Sequence, residues 1–257
     1  MAVWIPTRLQ RSYRFLNRLV GDKRSQAYNR RLGGVLAFIA GAINAGGFLA
    51  VNRYTSHISG VVSAIADDFA VGSVALAAAG VVSVLTFISG AACTAILINW
   101  ARRRELHSVY ALPLLVEAAL LLLFGLAGAG LKSFAHLLVP STVLLLFFMM
   151  GLQNAIITKM SGAEIRTTHM TGIATDLGIE LGKLVYWNGN DSPLDERFVR
   201  ANRDRLAVHA TILTLFLVGG VGGALAFKAV GYAATIPIAL LLIVLALPST
   251  LADFDRR

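Results

Sequence analysis

The sequence predicts an all-α integral membrane protein of about six transmembrane helices, folded as an inverted 3+3 repeat with two short half-helices. Three observations lead there. Six long stretches carry almost no charge, the basic residues cluster in alternate loops, and one set of motifs recurs in the same order in both halves of the chain.

Of the 257 residues, 56% are hydrophobic and only 14% charged, whereas soluble domains carry about a quarter charged residues. The deficit is concentrated in residues 33–51, 74–98, 109–131, 137–158, 210–230 and 232–247. Each stretch is near or above the roughly 17–25 residues that carry a helix across about 30 Å of hydrocarbon. Six such helices have no place in one soluble core.

The net charge of +9 could signal nucleic acid, but its distribution points to membrane topology instead. Eight Arg/Lys lie between Arg8 and Arg31, three at Arg102, Arg103 and Arg104, seven between Lys159 and Arg205, and two at the end of the chain. The remaining loops hold only Arg53, Lys132 and Lys228. With six spans and a cytoplasmic N-terminus, the first group faces the cytoplasm, as the positive-inside rule requires. The expectation is a membrane protein with both termini cytoplasmic, whose basic loops meet anionic lipid.

The basic segment 1–32 carries Trp4, Leu9 and Phe15 among its Arg residues, and reads as an interfacial helix or a basic arm rather than a cleaved signal. Cys93 is alone within a span, so no intrachain disulfide or thiolate metal site is expected.

The internal repeat organises the rest. Gly41-Ala-Ile-Asn44 recurs as Gly151-Leu-Gln-Asn154, and Thr55-Ser-His57-Ile-Ser-Gly60 recurs as Thr167-Thr-His169-Met-Thr-Gly172. An acid follows each His at the same interval, Asp68 and Glu180, and Pro113 has a counterpart in Pro237. The expected divisions are a cytoplasmic segment 1–32, a first membrane repeat 33–131, a second 132–250, and a cytoplasmic tail 251–257. Three crossings per half is an odd number, so the second half must be inverted relative to the first, a common plan of secondary transporters. Small residues at Gly33, Ala37, Gly41 and Ala45, and at Gly219 and Gly223, recur every four residues and suit close helix packing in lipid.

Residues 57–70 and 169–184 are too short and too polar for ordinary spans. Both open with hydroxyl residues suited to capping a helix. Two readings fit: half-helices entering from opposite faces with their N-termini near the midplane, or amphipathic helices lying on opposite surfaces. Non-helical backbone at membrane depth is tolerated only where protein or a water-filled cavity surrounds it. The connector 186–204 reads as a solvated loop, with a short helix starting at Pro193.

Ionisable groups within a membrane default to functional candidates. Here they are His57, Asp67, Asp68, Glu117, His169, Asp176 and Glu180, joined by the amides of Asn44 and Asn154. Positions eleven apart on a helix differ by about 20° after three turns, so each His shares a face with its acid. Paired helix N-termini favour an anion or a carbonyl-bearing solute, with Asn44, Thr55, His57, Gly60, Asn154, Thr167, His169 and Gly172 as its binding residues. Asp68, Glu180, Asp67, Asp176 and Glu117 are the candidates for proton coupling or gating. The competing reading is that the His residues brace the helix breaks and the acids sit in water. Glu117 has no acidic counterpart, since Leu241 takes that place.

These motifs resemble the YoaK-like family, bacterial six-span membrane proteins of unknown function. The resemblance runs from about residue 33 to 250, and rests on the Gly41–Phe48 run, Thr55–Gly60 with Asp67, Gly151–Asn154 and Thr167–Gly172. It implies an inner-membrane protein and carries over no activity and no site residues.

The expected function is a secondary transporter or channel for a small polar or anionic solute, with the lipid bilayer as its surroundings and a homodimer as a plausible assembly. No cofactor, metal or nucleic-acid partner is expected. A non-transporting scaffold is the first alternative. A membrane-embedded enzyme is the second, disfavoured because the chain contains no Gly-x-Ser-x-Gly, HExxH or phosphate-loop motif.

Overall fold

Eight α-helices account for nearly all of the structure, a computed structural model that describes residues 26–52, 54–106, 108–130, 135–160, 169–189, 195 and 197–254. They are α1 (Gln26–Val51), α2 (Ile58–Ala70), α3 (Val74–Arg103), α4 (Ala111–Gly130), α5 (Ala135–Met160), α6 (Met170–Val185), α7 (Arg203–Val230) and α8 (Thr235–Phe254). The described residues contain no strand. Each of the six apolar stretches coincides with one long helix, and the two polar segments coincide with the short helices α2 and α6.

Several helices outrun their apolar stretch. α1 starts at Gln26, α3 continues to Arg103, and α7 starts at Arg203. Charged side chains at these ends can reach water along their aliphatic stems, so hydropathy underestimates helix length there. The short helix expected from Pro193 does not form in the described part of the connector. Asp195 and residues 197–202 are turn or irregular, and Asn202 caps α7 by accepting a hydrogen bond from the Arg205 amide at 3.0 Å. Pro193 itself lies outside the described residues, as does the basic segment up to residue 25.

Five helical runs among the described residues are long and apolar enough to cross a membrane. The last, Arg203–Leu251, is 49 residues long, which as one helix would measure about 74 Å at 1.5 Å per residue. A 3₁₀ turn at Gly231–Ala234 splits it into α7 and α8. Gly231 has φ 63° and ψ −143°, a backbone conformation that glycine adopts at no steric cost.

Helix pairing follows one rule in both halves. α1 packs along α7 and α3 along α5, and these are the two most extensive contacts. α2 lies on α3, α6 lies on α7, and α4 pairs with α8. The short helices thus each lean on the next long helix, while the first helix of each half packs against the third element of the other.

Four Phe-x-x-Gly segments build the two large contacts: Phe38–Gly41, Phe87–Gly90, Phe148–Gly151 and Phe216–Gly219. A Cβ on Gly41 would lie 2.0 Å from the carbonyl oxygen of Phe216, and one on Gly219 would lie 2.0 Å from that of Phe38. Across α3 and α5 the same exchange occurs: Gly151 meets the Phe87 carbonyl at 2.0 Å and Gly90 meets that of Phe148 at 2.1 Å. At these four positions backbone touches backbone, which is how small residues bind helices together in lipid. Thr94 Oγ1 adds a hydrogen bond to the Leu152 carbonyl at 2.9 Å.

The contacts also give helix directions. Gly34 meets Leu215, Gly41 meets Phe216 and Gly220, and Gly46 meets Phe227, so α1 and α7 run parallel. Ser108, just before α4, donates to the carboxylate of Asp253 near the end of α8, while Gly125 meets Thr235 at the start of α8. α4 and α8 therefore run antiparallel. The buried core centres on Leu36, Ile43, Phe124, Leu146 and Met150, whereas Leu85, Ile96, Leu126, Leu225 and Leu240 point outward. An apolar perimeter around a packed core is the distribution a bilayer demands.

Candidate functional site

The two His motifs meet. His57 and His169 are the N-cap residues of α2 and α6, with nearly matching backbone angles of φ −93°, ψ 68° and φ −85°, ψ 60°. Each His carbonyl accepts the first helical bond, from Val61 at 3.2 Å and from Ile173 at 3.1 Å. Neither helix has a side-chain cap on its N-terminus, contrary to the capping expected of the hydroxyl residues. The first amides of each helix thus lack intrahelical acceptors.

Both first turns line one cavity of about 900 Å³. Its walls come in equivalent pairs from the two halves: His57 with His169, Ser59 with Thr171, and Asn44 on α1 with Asn154 on α5. Phe87 on α3 and Phe216 on α7, from two of the Phe-x-x-Gly segments, form a further pair. Asn44 Oδ1 accepts from Ser56 Oγ at 2.8 Å, and Asn154 Nδ2 donates to the Met150 carbonyl at 3.1 Å. Among the described residues, no Asp, Glu, Lys or Arg lines the cavity. Its described lining offers hydrogen-bonding groups without a carboxylate, ammonium or guanidinium, and two helix N-termini add positive potential.

Gly60 and Gly172 have a role other than contact with a solute. A Cβ on Gly60 would fall 2.3 Å from Cδ2 of His57, and one on Gly172 would fall 2.4 Å from Nδ1 of His169. Each glycine makes room for the imidazole three residues earlier to fold back over the helix start. That packing explains the His-x-x-Gly spacing in both motifs.

The acids lie elsewhere. Asp67 and Asp68 are at the far end of α2, where their carbonyls accept from Val71 and Ser73 at the turn into α3. Glu180 is buried, takes the Lys183 ammonium at 2.9 Å on one oxygen and accepts the Asn202 amide at 2.6 Å on the other. The Lys183 partner, and secondly the Asn202 amide, hold its carboxyl below the usual carboxylate range. Glu180 therefore fastens the end of α6 to the start of α7, outside the cavity. Asp176 lies 3.8 Å from Nε2 of His209, a buried histidine of α7. Glu117 is buried on α4. Thr55 is buried with its hydroxyl unpartnered among the described residues, and Thr167 lies outside them.

Sequence reasoning missed Phe87, Phe216, Thr158 and Ser56 in the cavity wall, and His209 beside Asp176. The fourfold Phe-x-x-Gly pattern was the signal that marks the two Phe residues. Ser56 stands inside the first His motif, whereas nothing local distinguishes Thr158 or His209, which matter only through what they face.

Comparison with curated proteins and with solved structures gives no match. A family model does match, over residues 32–247, and that span takes in both Asn motifs, both His motifs and every helix that walls the cavity. Its description, protein of unknown function, agrees with the YoaK-like resemblance. The chain belongs to the DUF1275 family.

Proposed function

We propose that the protein is a secondary transporter or channel that binds a small polar or anionic solute between the N-termini of α2 and α6. One observation carries the reading: the first turns of two short helices, one from each half of the chain, open onto the same cavity. A helix N-terminus stabilises a negative group by about 0.3–1 kcal/mol, and up to about 2 kcal/mol where partly buried. Two of them aimed at one chamber, with the amides of Asn44 and Asn154 and the rings of His57 and His169, suit a solute that presents acceptors on two sides. Phe87 and Phe216 offer it apolar walls.

In this reading the halves form an inverted repeat in an inner membrane with both termini cytoplasmic. The antiparallel run of the counterpart helices α4 and α8 supports inversion, as does the interchange of contacts between the α1–α7 and α3–α5 pairs. The short helices are then re-entrant, and their breaks are sheltered by the cavity as membrane depth requires. The repeat interface at the midplane is where such transporters bind their solutes.

The test is charge movement on a solid-supported membrane. Proteoliposomes would be challenged with pooled anions, carboxylates, amino acids and nucleobases, beside the His57→Ala/His169→Ala variant. A transient current for one pool, absent in the variant, is the expected result. No current from any pool, together with no solute-induced rise in thermal stability, would overturn the reading in favour of a scaffold. Product formation in detergent, where no gradient exists, would overturn it in favour of an enzyme.

A further inference from the structure

Glu117 on α4 is fully buried, and neither of its carboxyl oxygens has a hydrogen-bond partner of ordinary geometry among the described residues. Gln153 on α5 faces it across the helix interface, equally buried, with both amide atoms also unpartnered. Four polar atoms thus share one apolar interior. Buried polar groups are nearly always satisfied, and an isolated carboxylate in such a place is strongly disfavoured.

A neutral carboxylic acid resolves all four atoms at once. Its O–H donates to Gln153 Oε1, and its carbonyl oxygen accepts from Gln153 Nε2, closing a ring of two hydrogen bonds. A carboxylate cannot do this, because it has no proton to offer Oε1.

The repeat shows that packing alone does not require this pair. The equivalent positions in the other halves are Leu241 for Glu117 and Ile43 for Gln153. Both members depart from an apolar counterpart, and they depart together. Gln153 is also next in sequence to Asn154, which lines the cavity. Making or breaking the ring therefore acts on the helix that presents Asn154 to a solute.

Resting on the transporter reading above, we propose that Glu117, bonded as the neutral acid to Gln153, is the proton-binding site that couples solute movement to a proton gradient. The acid takes its proton from water and returns it to water. Because the ionised form has no stable place between closed helices, exchange occurs only when α4 and α5 separate. That restriction is what coupling needs: the proton moves only with the conformational change.

The charged side chains on the neighbouring elements lie toward the ends of those elements. The titratable and charged groups on the elements packed against α4 are Cys93 within α3 and Arg102 and Arg103 at its end, His136 and Lys159 near the two ends of α5, Tyr232 in the 3₁₀ turn, and Asp253 near the end of α8. Of these, Arg102 bonds the Tyr110 hydroxyl, Asp253 bonds Ser108, and Tyr232 lies against Gly128, all away from Glu117.

Infrared difference spectroscopy on the protein in lipid nanodiscs tests this directly. The expected result is a protonated-carboxyl C=O band at neutral pH, lost in Glu117→Gln and displaced in Gln153→Leu, that shifts in heavy water as the site opens. Glu117→Gln should keep the thermal midpoint of the parent, since an amide also closes the ring, whereas Glu117→Leu should lower it. Absence of the band, a band that never exchanges, or a Glu117→Gln variant as unstable as Glu117→Leu would each overturn the assignment. If the transporter reading alone fails, the band and its exchange persist while no pool of solutes produces a current.

Discussion

His57 and His169 owe their positions to a hydrogen atom. The glycine three residues on has no Cβ, so the ring can fold over the first turn and present its edge to the cavity. Gly60→Ala and Gly172→Ala should force the ring away, because each Cβ would meet its own imidazole at 2.3–2.4 Å. The obstructing atoms belong to a movable side chain, so the fold should survive. The expected loss is one hydrogen bond to solute, about 1 kcal/mol or roughly fivefold in affinity, read by solute-induced thermal stabilisation once a solute is found. Glu180 should behave oppositely. Its carboxyl is held below the usual range, so its contribution is present above the ordinary carboxylate pKa and lost as pH falls through the lower, folded-state value. Hydrogen exchange at the α6–α7 junction should rise in acid, and Glu180→Gln should show that faster exchange at neutral pH while still binding solute. Unchanged exchange in Glu180→Gln would remove the bracing role and return Glu180 to the list of coupling candidates.

Among helices, the four Phe-x-x-Gly crossings set the architecture. An alanine at Gly41, Gly151, Gly90 or Gly219 would drive a methyl into a backbone carbonyl at 2.0–2.1 Å, where no side-chain rotation relieves the clash. Overpacking of this kind costs about 1–3 kcal/mol. Each substitution should lower the thermal midpoint in detergent. Because the Phe partners of two of these segments wall the cavity, Gly151→Ala and Gly41→Ala should also weaken solute binding. Gly222, which has nothing within 4 Å of an added Cβ, should accept alanine without loss. Equal effects at Gly222 and Gly219 would mean that the crossings are not the tight points.

For the molecule as a whole, the proposed transport requires α2 and α6 to enter from opposite sides. Ser73 follows α2 and Tyr186 follows α6. In a Cys93→Ser background, Ser73→Cys should react with an impermeant maleimide from the periplasmic side, and Tyr186→Cys only from the cytoplasmic side. Labelling of both from one side would rule out the inverted arrangement and leave two surface helices on one face.

Much of this was legible in the residues. Long uncharged runs dictated long helices, because an unpaired backbone has no other solution in hydrocarbon. The shortness of 57–70 and 169–184 marked two short helices, and the recurrent Gly-x-x-Asn and T-x-H-x-[ST]-G motifs marked residues that line one cavity. What the chain could not state was which polar groups share a space. Equal spacing from His57 to Asp68 and from His169 to Glu180 placed each pair on one helix face, yet sixteen ångströms or so separate positions three turns apart. Only the packing of α1 on α7 and α3 on α5 brings Asn44, Asn154 and both imidazoles to one cavity. The end of α6 set against the start of α7 brings Glu180 to Asn202, and α5 set against α4 puts Gln153 before Glu117. Helix formation is a local matter of hydrogen bonds within one segment, and so it is written in the sequence. The meeting of side chains from different segments depends on how close two backbones can come, and here four glycines settle that distance.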